Sequence, residues 1–452
     1  MGTIYLIIFL LAEIALIVLT FTKFGQKTSW LKNRTITSLT EGVILLAIIL
    51  LPTTYLKWRF LAAMLVLVIR IAIAGIVWLA SSKKAEGNKN KALAVIASVL
   101  SVAFVAVSLA PAFVFSNYNG LKNTGSMNVK ETNAILVDKS RPDTFENDGS
   151  FREVPVHFYY PENAAEKYPL IVFSHGAFGF YLSNYSTYTE LASNGYIVAA
   201  LDHPHHAFYS EDTQGNTVIV DSNFINTAMT IGNTDDFETE EVYAITREWM
   251  KLRTDDENFV IDSIEKAIDS NTLDDSWYTS DKETILSVLS VTDTDKIGLL
   301  GHSMGGATSV NVGRQRSDID AVLVLDGTML GEYTGIENGK YIYESEPYPV
   351  PILDFTKEKD YIDRDKYNKE NGYPYVNEYV IDNAVDGRTA VFSGAEHMDF
   401  TDLPLISPML ASVFGRGDVN NEEFMTMING IVLDWFNYYL KNEGTRDIQA
   451  KY

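Results

Sequence analysis

The run Lys296-Ile297-Gly298-Leu299-Leu300-Gly301-His302-Ser303-Met304-Gly305-Gly306 passes from apolar residues into a glycine-flanked serine. Residues 296–300 read as a strand, and the small and branched residues 307–312 that follow can open a helix. The order is strand, tight turn, helix, with Ser303 at the turn. A G-x-S-x-G turn needs its glycines because the backbone at the serine is strained, and strand and helix pass too close for side chains at the flanking positions. The serine Oγ is thereby lifted clear of the sheet. The five-residue pattern alone is a weak signal; the strand before it, the helix after it and partners downstream give it weight.

Apolar runs of strand length recur on either side, at 134–137, 154–160, 170–173, 197–201, 321–325, 351–355 and 389–392, with helical stretches between them. Strands that alternate with helices imply a mostly parallel sheet covered on both faces, with ligands at the carboxyl ends of the strands. Between 201 and 296 the chain is much longer than an ordinary connection. Its amphipathic stretches 240–253 and 258–270 read as a helical insertion at about 207–290, either a cap over the site or padding on one face of the sheet.

The N-terminal part is of another kind. Residues 1–130 carry 13 Lys and Arg against 3 Asp and Glu, whereas 131–452 carry 23 against 56. A part that acidic is not expected to bind nucleic acid, and anionic lipid headgroups repel it unless it is tethered. There are no cysteines, which excludes disulfides, thiolate metal sites and a Cys nucleophile and suits an oxidising exterior. Residues 4–20 are almost continuously apolar with no small-residue cleavage site after them, so they read as an uncleaved span. Further spans are expected at 43–56, which contains Pro52, at 60–80 and at 92–115. Lys23, Lys27, Lys32 and Arg34 follow the first span, and Lys83, Lys84, Lys89 and Lys91 follow the third. Four spans put both clusters on the cytoplasmic side and everything after Phe115 outside; three would set them on opposite sides. The expectation is a multi-pass protein of the cell membrane: residues 1–115 as a transmembrane helical region, 116–130 as a polar linker and 131–452 as an extracellular α/β-hydrolase domain. Glu13 and Arg70, each near mid-span, are expected to pair inside the bundle.

Acyl transfer by serine needs a base, an acid to orient it and donors for the oxyanion. Of the seven histidines only His397 follows Ser303, just past the run 389–392. That is the place of the base in the order serine, acid, histidine. Two acids compete: Asp326 ends the run 321–325, one strand after the nucleophile, and Asp360 lies beyond the next strand in the charge-rich stretch 357–365. Asp354, inside that strand, reads as buried or paired. Ser174-His175-Gly176-Ala177, after the run 170–173, offers an oxyanion loop. The Ala177 and Met304 N–H groups are the candidate donors, and His175 reads as structural. In His203-Pro204-His205-His206 the imidazoles cluster as zinc ligands can, but no carboxylate spacing completes a site. No metal and no cofactor are expected, and the cluster reads as positioning loops or substrate.

Six stretches carry a resemblance: Phe173-Ser174-His175-Gly176; Leu191-Ala192-Ser193-Asn194-Gly195-Tyr196-Ile197-Val198-Ala199-Ala200; the run 253–262; Gly301-His302-Ser303-Met304-Gly305-Gly306; Leu325-Asp326-Gly327; and His397-Met398-Asp399-Phe400-Thr401-Asp402. From about residue 134 onward the chain resembles the platelet-activating factor acetylhydrolase family, a branch of the α/β-hydrolases. The resemblance implies calcium-independent hydrolysis of short or oxidised acyl groups from phospholipids. It also implies an acid on the strand after the nucleophile, which falls on Asp326. Ala177 in the oxyanion loop, the N-terminal spans and the tyrosine-rich stretches 341–348 and 361–379 depart from the family, and they bear on substrate rather than chemistry.

Three functions follow. The first is a membrane-anchored serine esterase acting on lipid esters through Ser303, His397 and Asp326, with the apolar run 403–414 lining an acyl pocket, touching the membrane or serving as core. The second is an esterase similar to cutinases and dienelactone hydrolases, acting on polyesters or small esters, which an acid at Asp360 would favour. The third, of another class, is a catalytically silent extracellular binding or sensing module.

Overall fold

In a run without polar side chains, an α-helix satisfies every interior backbone N–H and C=O within the run itself. The N-terminal sequence builds four: α1 (Gly2–Phe21), α2 (Lys27–Leu50), α3 (Leu61–Ser82) and α4 (Lys91–Ser108). All four are long and apolar enough to cross a membrane. The computed structural model describes residues 1–21, 27–82, 91–233 and 239–452. They form two units, Met1–Gly120 with Pro404–Val413, and Leu121–Leu403 with Phe414–Tyr452.

In the first unit large apolar side chains such as Leu11, Val43, Leu65, Ile73 and Phe104 point outward, while Tyr5, Phe9, Leu45, Phe60, Leu67 and Val105 pack inside. The interior also holds charge. Arg70 of α3 pairs with Glu13 of α1 and, at 2.7 Å, with Glu41 of α2, and all three are buried. The Glu13–Arg70 pair is the one expected; Glu41 is an additional partner. It escaped the sequence reading because the second span lies upstream of the expected 43–56, at Leu31–Leu50. Thr35, Ser38 and Glu41 face the interior there and dilute the apolar signal. The helix stops at Leu50 because Pro52 lacks an N–H and bars Leu51 from helical geometry. The fourth span is also shorter than expected, breaking after Ser108 into the short helix Ala110–Val114 with Pro111 in its first turn. Lys23, Lys83, Lys84 and Lys89 of the two basic clusters lie outside the described residues. The segment Pro404–Val413 belongs to this unit: Ser116 N donates to the Ile406 carbonyl at 2.8 Å, and Ser407 Oγ to that of Val114 at 2.8 Å.

Arg70→Leu strands two carboxylates at once, so it is expected to destabilise the chain by about 3–5 kcal/mol in thermal unfolding in detergent. Replacing Glu13, Glu41 and Arg70 together by leucine is expected to cost far less. Equal losses for the single and the triple change would contradict the pairing.

In the second unit the apolar runs become strands β1 (Val129–Pro142), β2 (Phe151–Pro161), β3 (Tyr168–Ser174), β4 (Ile197–Leu201), β6 (Thr292–His302), β7 (Ile319–Leu325), β8 (Ile352–Lys357) and β9 (Gly387–Phe392), joined by a short edge strand β5 (Trp277–Tyr278). They form one sheet in the order β9-β8-β7-β6-β3-β4-β2-β1-β5. From β9 to β4 neighbours run parallel; β2 is antiparallel to both β4 and β1. Both faces are covered, which is why the inner strands read as continuous apolar runs rather than alternating ones. One face packs against helices α6 (Thr239–Ser270) and α7 (Met304–Gln315), the other against α5 (Tyr185–Ser193) and α8 (Asn421–Phe436). β3, β6 and β7, which carry the site, lie in the interior of the sheet.

Two further stretches pack onto this unit. The second half of α6 buries Val260, Ile261, Ile264 and Ala267 in the core against the sheet, so this helix pads a face. The stretch 116–130, read as a linker, is tied to α5: Thr124 N donates to the Glu190 carboxylate at 2.8 Å and Met127 N to the Ser193 carbonyl at 3.2 Å.

Candidate active site

β6 ends at His302, α7 begins at Met304, and the residue between them is Ser303, with φ 54° and ψ −123°. A non-glycine residue in that region is strained, so its neighbours must hold it there. Ser303 N donates to the Leu325 carbonyl at 2.9 Å, tying the turn to the end of β7. A Cβ on Gly301 would overlap the Gly305 carbonyl, and one on Gly305 the Ser174 carbonyl. These glycines let the start of α7 lie against the end of β3, the close approach that the sequence pattern anticipated.

Asp326 follows β7 with φ 50°, its N–H donating to the Phe355 carbonyl at 2.9 Å. His397 follows β9, in a short 3-10 turn whose first residues are fixed by a capping box between Glu396 and Asp399. The two meet: His397 Nδ1 lies 2.7 Å from Asp326 Oδ2. Burial alone would raise the Asp326 carboxyl, but the hydrogen bond from His397 and the nearby His397 and Lys357 charges hold it below the usual carboxylate range. Ser303 Oγ makes no hydrogen bond to His397 among the described residues; contacts of this kind tighten when substrate binds. Asp360 is placed differently. It lies in the helix Glu358–Asn371 with its carboxylate 3.4 Å from Lys357 Nζ, and burial together with the Asp326 charge pushes its pKa up. Asp354 is buried and bonded to Arg364 at 2.8 Å and to Asn377.

A neighbour of Ser303 that sequence reasoning passed over is His302. Its Nε2 lies 3.1 Å from the His397 carbonyl, and the two rings are 4.6 Å apart. Burial pushes His302 down to about 3, so the ring is neutral and Nε2–H is the donor. It holds the backbone of His397.

The loop after β3 comes close to Ser303. A Cβ on Gly176 would sit 2.8 Å from His302 Nδ1 and 3.2 Å from Ser303 Cβ, so the Gly176 backbone is against the serine. Ala177 N–H belongs to the next peptide, and Met304 N–H is the first amide of α7, where no intrahelical partner exists. The histidines nearby are committed to structure. His175 Nε2 accepts from His203 N at 3.1 Å, so its Nδ1 carries the proton and donates to the Gly176 carbonyl at 2.6 Å. His203 is 3.0 Å from Asp256 through Nδ1 and 2.8 Å from Ser174 Oγ through Nε2. His206 stacks on Phe224 and His205 on Phe145. Burial lowers His175 and His206 well below the ordinary histidine value and His203 to about 3.

Comparison with known proteins bears on the family and the fold. Residues 149–448 match the family model of platelet-activating factor acetylhydrolase, isoform II. The platelet-activating factor acetylhydrolase of Cavia porcellus is 26% identical over 302 residues, which is 64% of this chain and 61% of that protein. That of Canis lupus familiaris is 28% identical over 206 residues, 44% of each. The chain thus spans about 61% of the length of the guinea-pig relative. Among solved structures, a ferulic acid esterase from Streptomyces cinnamoneus shares the fold, with a TM-score of 0.50, 20% identity, and coverage of 72% of this chain and 93% of that one.

Proposed function

Because this chain belongs to the platelet-activating factor acetylhydrolase, isoform II, family, we propose that it is a membrane-anchored serine hydrolase that cleaves carboxylic esters. Ser303 Oγ attacks the ester carbonyl as His397 takes its proton; His397 then gives that proton to the departing alcohol. Asp326 holds the imidazole in the tautomer that leaves Nε2 free to accept, and it stabilises the imidazolium. The Ala177 and Met304 amides hold the oxyanion. Water then attacks the acyl-enzyme, losing a proton to His397, which returns it to Ser303 as the acid leaves.

The observation that carries this reading is the 2.7 Å contact between His397 Nδ1 and Asp326 Oδ2 beside the strained Ser303 turn. Asp360, the acid that the small-ester reading would have favoured, is engaged with Lys357 instead. The proposed substrates are phospholipids or related lipids with short or oxidised acyl chains, the class suggested by relatives named platelet-activating factor acetylhydrolase. The four apolar helices are read as spans of the cell membrane with the hydrolase part outside, supported by the lysine-rich connections after the first and third. Such a tether would keep a strongly acidic domain beside lipids that its charge would otherwise repel.

The test is hydrolysis by the full chain in detergent of p-nitrophenyl esters from acetate to palmitate. Expected is a kcat/KM highest on the shortest chains and lower by roughly tenfold or more at the longest. A maximum at palmitate would replace this substrate class with long-chain lipids.

A further inference from the structure

We propose that Arg253 aims the oxyanion-loop amides at the nucleophile, making it a positioning residue for ester hydrolysis; the inference rests on the reading above. Arg253 lies in the first half of α6, in the insertion, and has no solvent exposure. Its Nη1 donates to the His175 carbonyl at 2.5 Å and its Nη2 to the Gly176 carbonyl at 3.3 Å. The third side of the guanidinium, Nε, is 3.3 Å from His206 Nδ1.

A trans peptide is planar, with C=O and N–H pointing in opposite directions, and no cis peptide occurs among the described residues. Fixing the His175 carbonyl therefore fixes the direction of the Gly176 N–H. Fixing the Gly176 carbonyl does the same for the Ala177 N–H. Both amides are turned away from Arg253, in a loop whose Gly176 backbone lies against Ser303 Cβ. An unanchored peptide there could rotate and offer its carbonyl, which would repel a developing oxyanion rather than bind it.

Arginine suits the task because a rigid planar fork reaches two acceptors at once, whereas an ammonium is a single point charge. Its own place is braced. Asp256, one turn on in α6, accepts from Arg152 Nη2 at 2.8 Å and is 3.0 Å from His203 Nδ1, and His203 in turn meets Ser174 Oγ at the end of β3. His175 Nδ1 and, at 3.1 Å, Gly179 N also donate to the Gly176 carbonyl, so loss of the guanidinium leaves that carbonyl two of its three anchors and the His175 carbonyl none among the described residues. The effect should therefore be smaller than deleting an oxyanion donor outright.

The experiment uses the full chain in detergent with Arg253→Lys and, as a second variant with a neutral planar donor, Arg253→Gln. Rates on p-nitrophenyl butyrate are normalised to active sites counted by burst titration and set beside inhibition by a trifluoromethyl ketone, which forms a tetrahedral oxyanion on the serine. For each folded variant kcat is expected to fall about 10- to 100-fold with KM within about threefold, and the ketone should weaken by the same factor as kcat/KM. If a folded variant keeps the wild-type kcat per site and ketone affinity and only melts earlier, Arg253 is purely structural and the proposal is overturned. A wild-type chain that neither turns over ester nor binds the ketone would overturn the esterase reading and, with it, this inference.

Discussion

Asp326→Asn is expected to lower kcat on a short p-nitrophenyl ester by roughly 10³- to 10⁴-fold while KM changes little. The carboxylate accepts from His397 Nδ1 at 2.7 Å, which places the ring proton on Nδ1 and leaves Nε2 free as the base. An amide at 326 can turn its NH2 toward Nδ1, which moves the proton to Nε2 and removes the base. Because Asp326 is held below the usual carboxylate range, its folded pKa is depressed. The stabilisation it contributes is therefore present above the unfolded value, about pH 4, and lost as pH falls through the folded one. Asp326→Asn should remove that acid-side dependence along with the activity. Asp360→Asn is expected to leave kcat within about threefold, since its carboxylate pairs with Lys357. Should Asp360→Asn carry the loss instead, the acid has been misassigned.

What the sequence disclosed and what it hid follow from how local each determinant is. The Ser303 turn was legible because its geometry excludes every side chain but hydrogen at 301 and 305, leaving a mark in the sequence itself. The inner strands were legible because burial on both faces makes their cores continuously apolar, as at residues 170–173 of β3. β5 was invisible: Trp277–Tyr278 is a two-residue edge pairing with no periodicity to read. The second candidate span was displaced because a helix that turns polar groups inward loses hydropathy where it is most needed, at Thr35, Ser38 and Glu41.

His397 and Asp326 were nameable as candidates from chain order, but their contact joins residues 71 apart and belongs to the sheet, not to either segment. His302 and Arg253 were missed for a related reason. An arginine within the amphipathic stretch 240–253 reads as a solvated charge, and only the packing of α6 against the sheet turns it into the buried anchor of two carbonyls. The hint was the run 253–262, one of the stretches that carry the resemblance, in which Arg253, Asp256 and Glu257 cluster within two turns of a helix that also buries apolar residues.

The central claim is that Ser303 is a nucleophile, and the most direct measurement is covalent labelling of the full chain in detergent by a fluorophosphonate, followed by digestion and mass mapping. The fluorophosphonate phosphorylates a serine only where a base takes its proton and donors hold the phosphoryl oxygen as fluoride leaves, so it reports base and oxyanion site together. The account predicts one adduct, on Ser303. It predicts no adduct in Ser303→Ala, whose ester hydrolysis should fall by on the order of 10⁵-fold or more. A chain that leaves Ser303 unmodified, or a Ser303→Ala chain that hydrolyses esters at the wild-type rate, would contradict it.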